Sequence, residues 1–225
     1  MNKRQDLVGG TMVVIEGIDG SGKSTQLALL KERLTTDGIK YHALDFPRYD
    51  RPGGQLAKLY LQGAFGKNPN DVNPYAASSF FSADRISSYL EDWRGIYEQG
   101  TLIVSDRYTT SNATHQGSKF PPEERKDFFD WLFNFEYNYL GLPKPDLTIL
   151  LDIPAETVSS LLSKRGNKDI HERDNKYLSL CRESALQAAK LYGWRRVDCI
   201  GADRQLRTRE EIHTEIISYV REILC

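Results

Sequence analysis

The chain has few cysteines, almost no excess of one charge sign and no long apolar run. Cys181, Cys199 and Cys225 are its three cysteines, an odd number without C-x-x-C spacing, which argues against a disulfide framework or a cysteine zinc site. A reducing, cytoplasmic setting is expected. With 30 Lys and Arg against 31 Asp and Glu, the formal net charge is −1, so no broad basic field is offered to nucleic acid. A local anion site remains open. No apolar stretch approaches the roughly 20 residues of a membrane helix, and residues 1–10 lack the apolar centre of a secretory signal, so no membrane partner is expected. The histidines, at 42, 115, 171 and 213, share no ligand spacing, which argues against a histidine metal site. Internal repeats and low-complexity tracts are lacking as well. What remains, 225 residues with 40% hydrophobic and 27% charged, suits one globular domain over 1–225.

Against this background, Gly17-Ile18-Asp19-Gly20-Ser21-Gly22-Lys23-Ser24 matches G-x-x-x-x-G-K-[ST] at every fixed position. The preceding Met12-Val13-Val14-Ile15 reads as a buried parallel strand, and leucines at 27, 30 and 34 mark a helix after it. Such glycines let backbone N–H groups approach phosphates, where the positive end of the following helix reinforces them. The predicted phosphate site of a nucleoside triphosphate is therefore Gly17, Asp19, Gly20, Ser21, Gly22, Lys23, Ser24 and Thr25. By the motif's mechanics Lys23 reaches the β- and γ-phosphates, and the Ser24 hydroxyl ligates Mg²⁺.

Apolar strand candidates recur at 12–16, 41–46, 101–105, 146–153 and 196–200, with helical patterns between them. This alternation predicts a three-layer α/β/α fold around a five-stranded parallel sheet. Asn73-Pro74 predicts a capped helix running to about Trp93, and Pro154 opens another. The aromatic-rich segment from Asp127 to Leu140 reads as core or subunit contact, and Ile212, Ile216, Val220 and Leu224 mark a closing amphipathic helix. The polar, mixed-charge stretch 163–176 reads as a mobile, lid-like connection.

A phosphate loop does not by itself choose among kinases, GTPases and sensors. Asn167-Lys168-Asp169 carries its aspartate one place too early for the guanine motif, and Asp50-Arg51-Pro52-Gly53 reads as a turn, which disfavours a GTPase. Four other segments discriminate further: Phe46-Pro47-Arg48; Phe81-Ser82-Ala83-Asp84-Arg85, with Phe81 and Arg85 on one helical face; Asp106-Arg107-Tyr108 after a strand; and Ser111-Asn112-Ala113-Thr114-His115-Gln116-Gly117. With Asp19 in the phosphate loop, they closely resemble thymidylate kinases, enzymes that phosphorylate dTMP with ATP. The resemblance spans nearly the whole chain.

That resemblance implies a role for each matching position. Arg48 and Arg107 would take the acceptor phosphate, where guanidinium forks suit phosphate oxygens. Arg85 would meet the thymine O4, Phe81 would stack on the ring, and Asn112 would bond its Watson–Crick edge. Phe46, Ser111, His115 and Gln116 complete the dTMP set. Alone, Phe81 reads as a core aromatic and Arg85 as a surface ion pair on its helix. Asp106 stands where a Walker-B-type carboxylate holds Mg²⁺ or its water, and Asp19 where the family has a carboxylate near the sugar 3′-hydroxyl and the metal. A homodimer through long helices including 73–93 is also implied.

Two departures from the family pattern matter. Some members carry an arginine inside the phosphate loop where this chain has Gly20, so the missing cation is expected from the lid: Arg165 or Arg173, supported by Lys168. His115 replaces the tyrosine or phenylalanine of many relatives beside the sugar, which leaves deoxyribose preference open. The expected reaction is Mg²⁺-dependent, in-line transfer from ATP to dTMP. Competing readings are a kinase for another deoxynucleotide or deoxynucleoside, and a non-catalytic ATP-binding regulatory module.

Overall fold

A computed structural model describes residues 9–163 and 175–224. Five strands, β1 (Met12–Glu16), β2 (Tyr41–Asp45), β3 (Leu102–Asp106), β4 (Leu147–Asp152) and β5 (Arg195–Asp198), form one parallel sheet in the order β2-β3-β1-β4-β5. The chain leaves β1 for β2, returns through β3 beside β1, and then crosses to β4 on the other side. The gap between β1 and β3 is thus a topological switch point, where open α/β sheets bind ligands.

β1 shows why the sheet is covered on both faces. Val13 and Ile15 pack with Leu27, Leu30 and Leu34 of α1 (Lys23–Thr36) and with Ile212, Ile216 and Val220 of α9 (Arg209–Leu224). Met12 and Val14 point the other way, into a cluster with Ile103, Trp93, Tyr108 and Leu142. Alternate residues of one strand therefore serve two cores, and a continuous apolar run replaces the usual alternation. Each such buried aliphatic side chain contributes roughly 1.5–3 kcal/mol relative to exposure.

Boundaries differ from the sequence expectation where local chemistry intervenes. β2 stops at Asp45, before Phe46-Pro47, because proline has no N–H for the ladder. β5 is shifted and shorter than 196–200: Ile200 instead bridges antiparallel to Leu206. The helix opened by Asn73, whose Oδ1 accepts the Tyr75 N–H at 2.8 Å, runs as α3 (Pro74–Ser88), widens into a π-helical turn (Tyr89–Trp93) and continues as α4 (Arg94–Glu98).

α2 (Gln55–Leu61) precedes α3, and α5 (Thr109–His115) follows β3. The aromatic segment spans α6 (Arg125–Phe133) and a second π-helical turn (Asn134–Tyr139). Phe128 and Phe129 are fully buried there, whereas Tyr139 is 78% exposed, so the core accounts for only part of it. α7 (Ala155–Ser163) and α8 (Asn175–Tyr192) flank the predicted lid. No helix among the described residues is long and apolar enough to cross a membrane.

Candidate active site

The phosphate loop folds as its glycines dictate. Gly17 has φ +155°, and a Cβ there would lie 2.6 Å from Ser21 Oγ and 2.9 Å from the Leu151 carbonyl oxygen. Gly20 and Gly22 have φ of +80° and +93°, in the left-handed region that glycine enters at little cost. Gly22 caps α1 without a side-chain acceptor, which leaves the helix's first N–H groups for an anion. Ser24 and Thr25 occupy that first turn. The Ser21 hydroxyl is buried without a hydrogen-bond partner among the described residues.

Lys23 folds back in this structure. Its Nζ donates to the Gly17 carbonyl at 2.8 Å and to the Ile18 carbonyl at 2.9 Å. Burial, with the nearby Arg107 cation adding to it, brings its pKa down to about 8. A triphosphate offers that ammonium a better partner than two carbonyls.

Pairing of β1 with β3 sets Ile15 opposite Asp106 and so brings Arg107 beside the phosphate loop. Arg107 sits at φ +64°, rare for a residue with a side chain. Its carbonyl accepts the Ser105 hydroxyl at 2.6 Å, and its N–H reaches the Ile15 carbonyl at 3.3 Å. In that pose its guanidinium pairs with Asp19 and lies 3.0 Å from His115 Nε2. Burial pushes the Asp19 carboxyl up, but Arg107, His115 and Lys23, with Arg107 also donating a hydrogen bond, together outweigh it and hold the group well below its ordinary range. Because arginine only donates, Nε2 accepts, and His115 Nδ1 is left to face Tyr177 Oη at 3.2 Å.

Asp106 Oδ1 is buried and has no hydrogen-bond partner among the described residues. Asp45 stands opposite it across the β2–β3 ladder, and burial followed by the Asp106 charge raises its carboxyl. The orphaned Asp106 carboxylate oxygen and the exposed Ser24 hydroxyl are hard oxygen donors of the kind that suit Mg²⁺. No cluster of three or more His, Cys, Asp or Glu ligands occurs among the described residues.

A cleft of about 240 Å³ opens beside Asp19 and Arg107. Phe46, Phe81, Arg85, Ser111, Asn112, His115 and Gln116 line it, as expected from sequence. Arg48 does not. Its backbone N–H and Nε reach Asp84 at 2.7 and 3.1 Å, and its Nη1 pairs with Asp92. Asp84, itself part of the cleft lining, is 1% exposed and requires a cation or hydrogen bonds, so Arg48 sits against it while Tyr49 lines the cleft beside it.

Arg85 is also corrected in part: its ion-pair partner is Glu136, from the second π-helical turn and not from its own helix, and both are buried. Phe81 meets Tyr60 edge-on at 6.0 Å, and Asn112 Nδ2 donates to the Ser78 carbonyl at 3.3 Å. Arg165 and Arg173, with Lys168, lie outside the described residues.

Sequence reasoning missed Glu16, Tyr49, Glu136 and Tyr177. Glu16 is fully buried directly before the phosphate loop and accepts from the Gly17 N–H at 3.0 Å, Thr110 Oγ1 at 2.8 Å and Ser111 Oγ at 2.7 Å. A charged residue closing an otherwise apolar strand was the available signal. Glu136 was similarly marked, as an acid among Phe133, Phe135, Tyr137 and Tyr139.

Comparison with known proteins agrees with this geometry. The family model for thymidylate kinase matches residues 15–216. A probable thymidylate kinase of Caldivirga maquilingensis is 32% identical over 178 residues, covering 79% of this chain and 80% of that one. The thymidylate kinase of Mycobacterium tuberculosis is 30% identical over 166 residues, covering 73% and 76%. A solved thymidylate kinase structure from Candida albicans superposes with a TM-score of 0.71 at 25% identity, covering 95% of this chain and 92% of that one. A phosphate loop and a pyrimidine-sized cleft joined at one ion pair, together with a match over most of the length, place this chain in the thymidylate kinase family, nucleoside monophosphate kinases that phosphorylate dTMP.

Proposed function

We propose that one catalytic domain, residues 1–225, transfers the γ-phosphoryl group of ATP directly to dTMP. The adjacency that carries the reading is the Asp19–Arg107 pair, which borders both the phosphate loop and the cleft. The α1 N-terminus and Lys23 bind the donor phosphates. Arg107 binds the acceptor phosphate, Phe81 stacks on thymine, and Arg85 and Asn112 read its edge. Gln116, whose buried Oε1 has no partner among the described residues, completes the polar wall.

Near neutral pH the acceptor phosphate is already a nucleophile, since its second pKa is about 6 by analogy with phosphoserine, so no strong general base is needed. An acceptor oxygen bonds to the γ-phosphorus as the bond to the β-bridging oxygen breaks, and ADP leaves with that electron pair. Position and charge neutralisation dominate such transfers. Ser24, Asp19 and Asp106 would hold Mg²⁺, which when bound neutralises phosphate charge. Assignment of Arg165 or Arg173, with Lys168, as a further cation rests on sequence alone.

A homodimer through α3 and its continuation, and a cytoplasmic location, complete the proposal. Sedimentation equilibrium tests the first. The exposed Leu90 on that continuation and the free Cys181 and Cys199 support these readings.

The decisive experiment is a coupled ADP assay with dTMP, dUMP, ribose TMP, dCMP and thymidine at fixed Mg-ATP. Turnover is expected with dTMP first and none with thymidine, which lacks the nucleophilic phosphate. Absence of dTMP turnover overturns the proposal.

A further inference from the structure

Glu136 is fully buried at the back of the cleft wall, on the π-helical turn Asn134–Tyr139. Four donors saturate its carboxylate. Oε1 accepts from Ser82 Oγ at 2.7 Å and from Arg85 Nη2, while Oε2 accepts from Arg85 Nε at 2.7 Å and Thr109 Oγ1 at 2.6 Å. Its backbone is fixed as well, since its carbonyl accepts the Leu142 N–H at 3.0 Å. Widened turns of this kind are frequent at functional sites.

The pairing is side-on, and that determines what Arg85 has left to offer. A guanidinium carries five N–H donors and no acceptor. Glu136 takes the Nε–H and one Nη2–H, so the remaining edge, Nη1 with the second Nη2–H, is what Arg85 can present to the cleft it lines. Burial opposes the arginine's charge, but Glu136 beside it more than offsets this and raises its pKa, so the edge stays fully protonated.

We propose that Glu136 is a positioning residue that sets base specificity: by anchoring one edge of Arg85, it aims a donor-only edge at the base and so selects a 4-oxo over a 4-amino pyrimidine. A 4-oxo group accepts from that edge. A 4-amino group sets donor against donor in a desolvated wall, leaving both unpaired. Ser82 and Thr109 hold the carboxylate on the sides that Arg85 does not reach, linking α3, α5 and the π-helical turn in one device. The proposal rests on the reading that Arg85 meets the base.

The test uses the full chain and compares kcat/KM for dTMP and dCMP, KM for ATP and the denaturation midpoint. Glu136→Gln keeps the shape but replaces one acceptor oxygen with a donor amide, so Arg85 loses one of its two side-on bonds and its counter-charge. The dTMP:dCMP preference is expected to fall by about 10- to 100-fold, mostly through a higher KM for dTMP, while KM for ATP stays within about 2-fold. A folded Glu136→Gln protein with the original preference overturns the proposal.

Should that variant not fold, Glu136→Asp keeps the charge and withdraws it by one methylene. A preserved preference there likewise overturns the proposal. The double variant R85M/E136L removes the buried ions together, a change that folded proteins often tolerate. If it retains the preference, the base-reading role of Arg85 fails first; if it loses the preference while both Glu136 variants keep it, only the positioning role fails.

Discussion

Arg107 and Asp19 meet across the gap between β3 and β1, and this one ion pair borders both the phosphate loop and the cleft. Sequence separates them by 88 positions, and parallel pairing of the two strands brings them together. The left-handed backbone at Arg107, held by Ser105, aims the guanidinium at the junction.

Arg107→Ala is expected to raise the apparent KM for dTMP by about 10- to 100-fold, the scale of a lost charge-assisted hydrogen bond, and that for ATP by much less. Steady-state kinetics with each substrate varied in turn measures the split. Equal effects on both substrates would contradict the assignment of Arg107 to the acceptor phosphate.

Lys23 supplies a pH dependence. In the free protein burial depresses its pKa from 10.5 to about 8, so between those values the unfolded chain binds the extra proton and folding stability rises with pH. A bound triphosphate favours the ammonium and reverses the depression. ATP binding at pH 8–9 should therefore take up protons, seen by titration calorimetry as a binding enthalpy that varies with the buffer's ionisation enthalpy. In Lys23→Met the dependence should vanish.

Phe81→Ala removes a ring from the cleft wall that also packs on Tyr60. Base–aromatic stacking is worth roughly 1–3 kcal/mol, so dTMP affinity should fall by about 5- to 100-fold, with ATP affinity little changed. Fluorescence or calorimetric titration with dTMP checks it, and unchanged affinity removes the stacking role.

Gly17→Ala should destabilise the protein by about 1–3 kcal/mol and weaken ATP binding more than dTMP binding. The reason is local: φ at Gly17 is +155°, and the added methyl would press on Ser21 Oγ and the Leu151 carbonyl. Denaturant midpoints compared with Gly38→Ala, another position of positive φ but with open space around it, separate backbone strain from collision.

Some of this was legible in the chain because it is local. The phosphate loop is a contiguous stretch whose glycines have one evident use, and Asn73-Pro74 carries its helix start in two residues. Strand positions followed from β-branched apolar runs, with errors of one or two residues where a proline or a turn ended the ladder. Resemblance to the family assigns Arg48 to the acceptor phosphate, and nothing in its own segment reveals that Asp84 and Asp92, on the helix and turn that follow, pair with it. Helical spacing gives Arg85 a partner on its own helix, whereas Glu136 comes from 51 positions away.

Composition and short-range pattern alone determined the class of this protein, an α/β fold with a phosphate loop, while the residues of a pyrimidine site were marked only by their resemblance to a family. Hydrophobic periodicity and glycine placement act over a few residues, so they are written in the chain itself. The tertiary structure decided which charges meet. Asp19 with Arg107, Arg85 with Glu136 and Arg48 with Asp84 are pairings chosen by strand order and helix packing. A buried charge takes whichever opposite partner the fold brings within reach, and distance along the chain carries no record of that choice.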